Sequence, residues 1–174
     1  QLQTGNEQEQ LLEDTVKTHP QDAAILLAAA KCFQGLPHQG TVIENKFERG
    51  QWRGQGRQVQ TMLKDRVRAL QLLEAALKSR PDDTHDMLRY HILGQLRQVL
   101  STGNYGMQHP SQVWSLQQLS DLTQLPDYDD QSGLDGPASG LPVDADGNPI
   151  FFQTPVSWQA ATSDAQRLCW VMEQ

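Results

Sequence analysis

Apolar residues recur along this chain at intervals of three and four, and that spacing predicts amphipathic helices. Leu11, Leu12 and Val16 mark a first helix over Glu7 to Lys17. Asp22 caps a second over Ala23 to Phe33, which Gly35, Pro37 and Gly40 bring to a stop. Val67, Leu70, Leu73, Ala76 and Leu77 make the inward stripe of a helix from Asp65 to Lys78, and Leu88, Ile92, Leu96 and Val99 make that of a helix from Thr84 to Leu100. Ser111 caps a further helix to Leu125, with Val113, Leu116, Leu119 and Leu122 inward, and Pro126 ends it. A terminal helix starts near Ser157 or Ser163, where Ser163 and Gln166 have the spacing of a capping box.

Two of these helices carry halves of one repeat. Leu26, Ala29, Ala30 and Phe33 resemble the first helix of a tetratricopeptide (TPR) unit, and Ala69, Leu73, Ala76 and Pro81 the second. The boundary prolines Pro20 and Pro81 are far more than one repeat of roughly 34 residues apart. The excess is a Gly-, Arg- and Gln-rich insert over residues 35–64, in which Thr41-Val42-Ile43 suits a short extended stretch. The expected fold is all-α: a TPR-like helical-repeat array of about five helices, with this insert and a long acidic loop at 126–155. Residues 1–6 read as a flexible tail and 7–174 as one helical domain that continues into further domains of a longer protein. The first residue is Gln, and the last helix meets no stop signal before Gln174.

Charge changes the picture locally. The net charge of -7 argues against nucleic-acid binding, which needs a basic face. No apolar run approaches the roughly 20 residues of a transmembrane helix. Within this acidic chain, residues 46–68 carry seven basic side chains against Glu48 and Asp65, whereas residues 121–148 carry seven aspartates and no basic residue. Arg49, Trp52, Arg53 and Arg57 are the candidate protein-binding residues, because a loop of guanidinium groups around an indole offers ion pairs and cation–π contacts to an acidic partner. Two other outcomes fit the same charges: the insert and the acidic loop neutralise each other within one chain, or they join two copies.

Other chemistry is thin. Asp144-Ala145-Asp146-Gly147-Asn148 begins like a calcium loop, but Pro149 stands where the sharp turn needs Gly and Pro155 where a bidentate Glu belongs. The histidines His19, His38, His85, His91 and His109 show no paired metal spacing, so no metal or cofactor is assigned. His91 reads as a core or boundary residue, and Trp114, Trp158 and Trp170 as core. Nucleophile elbows, P-loops and dinucleotide-binding glycines are missing, and no catalytic residue is assigned. Cys32 and Cys169 sit on apolar helical faces and read as buried free thiols, with a disulfide between them as the alternative.

A series of phrases carries a resemblance: Pro37-His38-Gln39-Gly40, Lys46-Phe47-Glu48-Arg49-Gly50, Asp65-Arg66-Val67-Arg68-Ala69-Leu70, Leu125-Pro126-Asp127-Tyr128 and Gly140-Leu141-Pro142-Val143-Asp144. Together they resemble the helical N-terminal region of large alpha-2-macroglobulin-like proteins of planctomycete-type bacteria, over most of residues 20–174. The resemblance implies a secreted, periplasmic or envelope setting and a scaffold or docking role. It does not imply protease trapping, since the Cys-Gly-Glu-Gln thioester motif and a bait region are absent. The expected function is a non-catalytic protein-interaction or scaffold module of such a larger protein. The alternatives are a self-associating subunit, and a calcium-dependent binder or enzyme using the Asp-rich loop.

Overall fold

The computed structural model describes residues 5–50, 56–80, 86–101, 119–130, 144–148 and 153–174. In chain order these form α1 (Gly5–Thr18), α2 (Ala23–Gly35), β1 (Gln39–Ile43), β2 (Lys46–Arg49), β3 (Arg57–Gln60), α3 (Met62–Lys78), α4 (Met87–Ser101), β4 (Asp129–Asp130), a 3-10 turn (Trp158–Ala160) and α5 (Asp164–Glu173). The chain divides into two compact units, one of Gln1–Ile92 with Leu122–Leu134, the other of Leu93–Asp121 with Asp135–Gln174.

In the first unit α2 and α3 make the most extensive contact between elements. α2 starts where expected because Asp22 Oδ1 accepts from the backbone N–H of Ala24 (2.9 Å) and Ile25 (3.1 Å), a cap worth about 1 kcal/mol. Its Leu26, Leu27, Ala29, Ala30 and Phe33 are buried, as are Val67, Ala69, Leu70, Leu72, Leu73 and Ala76 of α3. Alanines on this face bring two backbones close. Cys32 falls outside that stripe and is exposed, not buried as its apolar neighbours suggested.

The expectation of an all-α, TPR-like repeat array is overturned: β1, β2 and β3 of the insert join β4 of the acidic loop in an antiparallel sheet of order β2-β1-β3-β4, so the protein is mixed α and β. The physical reason is local. Thr41, Val42 and Ile43 are β-branched and resist helix. Glu44 (φ 48) and Asn45 (φ 62) then form a two-residue turn with both φ positive, the geometry that matches the twist of a hairpin. Gly40 lets the strands close up: a Cβ there would lie 2.2 Å from the Phe47 ring and 2.7 Å from the Glu48 carbonyl oxygen. β3 pairs with the other side of β1, and with β4 through Val59↔Asp130 and Gln60↔Asp129. The basic insert and the start of the acidic loop therefore meet within one chain.

α1 begins at Gly5, so Gly5 and Asn6, expected in the tail, belong to a helix. Residues 119–125 are not helical, which removes the described end of the helix expected from Ser111 to Leu125. The rest of that helix, Trp114, His85 and His109 lie outside the described residues. His91 is exposed and meets Tyr90 edge-on.

In the second unit Ser163 caps α5 by accepting from Gln166 N–H (3.2 Å), while the Gln166 side chain accepts from Thr162 N–H (2.8 Å). The reciprocal pair is a capping box displaced by one residue. Buried Asp164 accepts from the N–H and hydroxyl of Ser120 and from Arg167, whose guanidinium lies 5.0 Å from the Trp158 ring centre. Among the described residues no helix is long and apolar enough to cross a membrane.

Candidate functional site

β2 delivers Arg49 to the space between the sheet, α1 and α3, and the side chain is wholly buried. Its Nη1 donates to Asp65 Oδ2 (2.7 Å), Thr61 Oγ1 (2.8 Å) and the Pro37 carbonyl (2.9 Å). Its Nη2 donates to Asp65 Oδ1 (3.0 Å) and Glu9 Oε2 (2.6 Å), and Nε reaches the same Glu9 oxygen at 3.1 Å. Asp65, in the first turn of α3, also accepts from the Thr61 hydroxyl (2.7 Å) and bonds His38 Nδ1 (2.8 Å). Burial by itself would lower the Arg49 pKa, but the two carboxylates outweigh it and hold it above the ordinary value. Burial would likewise raise Asp65, and the bonds from His38, Arg49 and Thr61 hold it below the ordinary carboxylate range.

A hydroxyl, an imidazole and a carboxylate thus lie together, but in an order unsuited to nucleophilic catalysis. The carboxylate stands in the middle, with the Thr61 hydroxyl and His38 both bonded to Asp65 Oδ2. A nucleophile's base must take the proton of the hydroxyl itself. Thr61 is also wholly buried. The cluster fastens helices to sheet.

The outer edge of β2 is closed by a side chain. In the β1–β2 hairpin, Phe47 and Arg49 turn backbone groups away from β1. The Asn6 carboxamide donates to the Phe47 carbonyl (2.8 Å) and accepts from Arg49 N–H (2.8 Å), as a neighbouring strand would. Beside it runs an open groove of about 490 Å³ lined by one face of α1 (Asn6, Glu9, Gln10, Glu13), by Lys46, Phe47 and Glu48 of β2, and by Tyr128. Phe47 and Tyr128 stack with ring centres 4.6 Å apart, and Lys64 Nζ lies 4.9 Å from the Tyr128 centre. Glu9 is tied to Arg49 and Lys64, and Glu13 to Arg68. Glu48 is exposed and accepts from Asn6 Nδ2 (3.1 Å).

Of the four residues marked in the sequence, Arg49 is turned inward and Arg57 is exposed at the start of β3. Trp52 and Arg53 lie outside the described residues. Glu9, Asn6, Thr61 and Tyr128 were missed. Their one sequence signal is the spacing of Asn6, Glu9 and Glu13 along a single helix face.

The Asp144 loop is closed on itself. Asp144 Oδ1 accepts from Asp146 N–H and Asn148 N–H, both at 2.9 Å, and Asn148 Nδ2 reaches Oδ2 at 3.1 Å. Donors led by Asn148 hold its pKa low. Among the described residues no group of His, Cys, Asp and Glu side chains is placed to hold a metal ion. No protein family, curated protein or solved structure matches this chain.

Proposed function

We propose that the chain is a non-catalytic protein-interaction module of a larger secreted or envelope protein, and that the groove between α1 and β2 receives a basic, extended segment of a protein partner. One observation carries the reading. The groups best equipped for chemistry (His38, Arg49, Thr61, Asp65) are bonded to one another inside, while the groove faces outward with rings and hydrogen-bonding groups. Three carboxylates line it against one ammonium, Lys46, and Glu48 and Tyr128 are the groups least committed to internal ion pairs. The secreted or envelope setting rests on the resemblance alone. The pairing of β3 with β4 within one chain speaks against joining copies through the basic insert and the acidic loop.

The test is fluorescence anisotropy with labelled extended peptides, matched in length and carrying either arginines or glutamates. Binding of the arginine set, lost in Glu48→Lys and Tyr128→Ala, is expected. Equal binding of both sets, or insensitivity to both substitutions, refutes the groove. Preference for the glutamate set, lost in Arg57→Glu, would move the contact to the basic insert.

A further inference from the structure

Asn6 stands in the first turn of α1 and fills a strand's place at the edge of β2. Its Nδ2 donates to the Phe47 carbonyl (2.8 Å) and to Glu48 Oε2 (3.1 Å), and its Oδ1 accepts from Arg49 N–H (2.8 Å). One carboxamide therefore closes two main-chain groups of the edge and engages the exposed carboxylate of the groove. The closure is incomplete. The Phe47 N–H also points away from β1, and among the described residues nothing accepts from it. A sheet edge bearing such groups is a template for another strand.

This closure rests on the weakest part of α1. The first four N–H groups of a helix have no partner inside it, and Gly5 and Asn6 are poor helix formers. Val16, near the other end, is the one residue of α1 that is buried. Ion pairs from Glu9 to Arg49 and from Glu13 to Arg68 hold the middle of the helix on their own. The turn carrying Asn6 can unwind while the rest of α1 stays docked.

We propose that Asn6 is a built-in competitor for the groove: the basic segment of the protein partner adds to the sheet as a strand along β2, and displaces the carboxamide as it does so. The proposal rests on the groove reading above and specifies how the groove is filled and what restrains it. An incoming strand replaces the bonds to Phe47 and Arg49 and adds one from the Phe47 N–H, so it makes three main-chain bonds where Asn6 makes two. Displacement also takes the Asn6 donor away from Glu48, which leaves that carboxylate to a basic side chain beside the stacked rings of Phe47 and Tyr128. While the edge is covered, the apparent affinity is lowered by the fraction of molecules in that state.

Anisotropy tests this with a labelled peptide whose arginines stand at alternate positions, so that the side chains fix which amides face β2. On the wild type, backbone N-methylation of one alternate set of residues is expected to abolish binding, and of the other set to leave it unchanged. Asn6→Ala is expected to bind the unmethylated peptide roughly tenfold more tightly, since no carboxamide bonds have to be broken first. Equal effects of the two methylated sets overturn strand addition. Affinity unchanged or weakened in Asn6→Ala overturns the competition, with the groove still occupied in both cases. An unmethylated peptide that binds neither protein overturns the groove reading and this inference with it. Should Asn6→Ala not fold, the Asn6 side-chain amide signals of the wild type decide: saturating peptide is expected to move them to the positions of a solvated carboxamide, and signals that stay in place overturn the displacement.

Discussion

Replacing Arg49 with Met keeps most of the side-chain volume and removes a cation of β2 that bridges α1 and α3. Asp65, 2% exposed, would keep only His38 and Thr61 as side-chain donors, and Glu9, 21% exposed, would keep Lys64 at 3.5 Å. Breaking a buried pair by removing one partner costs about 3–5 kcal/mol, because the remaining charge stays desolvated. The Glu9 arm, reaching water, adds no more than about 1 kcal/mol. Against a total stability of roughly 5–15 kcal/mol, such a loss leaves the fold marginal. Urea unfolding followed by far-ultraviolet circular dichroism reads it.

The pH dependence supplies the sharper test. Asp65 has a folded pKa below the ordinary value of an aspartate, so its stabilising contribution is full above that value and lost as pH falls through the folded one. In Arg49→Met that depression weakens, Asp65 takes up a proton more readily, and the gap to the wild type narrows on acidification. Adding Asp65→Asn to Arg49→Met should recover part of the loss at neutral pH. A neutral-pH cost under about 1 kcal/mol, the size of an exposed pair, refutes the reasoning, as does a gap that stays constant with pH.

Asn6→Ala should cost about 1–3 kcal/mol by uncovering the Phe47 carbonyl and the Arg49 N–H, and hydrogen exchange should show the Arg49 amide losing protection ahead of the β1–β2 ladder. Gly40→Ala sets a methyl against the Phe47 ring and the Glu48 carbonyl oxygen and should lower stability by roughly 1–3 kcal/mol, only part of it recovered when Phe47→Ala is added, because the backbone clash stays; thermal unfolding of the two variants checks this. Asp86 should titrate at about 2 in a carboxyl NMR experiment, because Arg80 donates to it at 2.7 Å, and should move up toward 3.8 in Arg80→Ala.

Much of the helical scaffold is written in local spacing. The Leu26–Phe33 and Val67–Ala76 stripes, the Asp22 cap and the Ser163–Gln166 box each depend on residues within one or two turns, so periodicity and capping chemistry suffice to find α2, α3 and α5. The extended character of Thr41-Val42-Ile43 was legible as well. The sheet was not, since a short β-branched run does not name its partners. Gly40 pairs with Arg49 on one side and Val59 on the other, and only the folded chain supplies that register.

Arg49 shows where local reading ends. Among Arg, Gly and Gln neighbours it has the composition of an exposed docking loop. Its fate was decided by Asp65, 16 residues on, and Glu9, 40 residues back, which make a buried guanidinium tolerable by bonding its nitrogens. The opposite charges of insert and acidic loop were plain in the sequence, and they left open whether one chain or two would satisfy them. The start of the loop does lie beside the insert in one chain, through the pairing of β3 with β4 and of Phe47 with Tyr128. Composition sets which groups attract, and only the tertiary fold decides which come near enough to be shielded from water and from other partners.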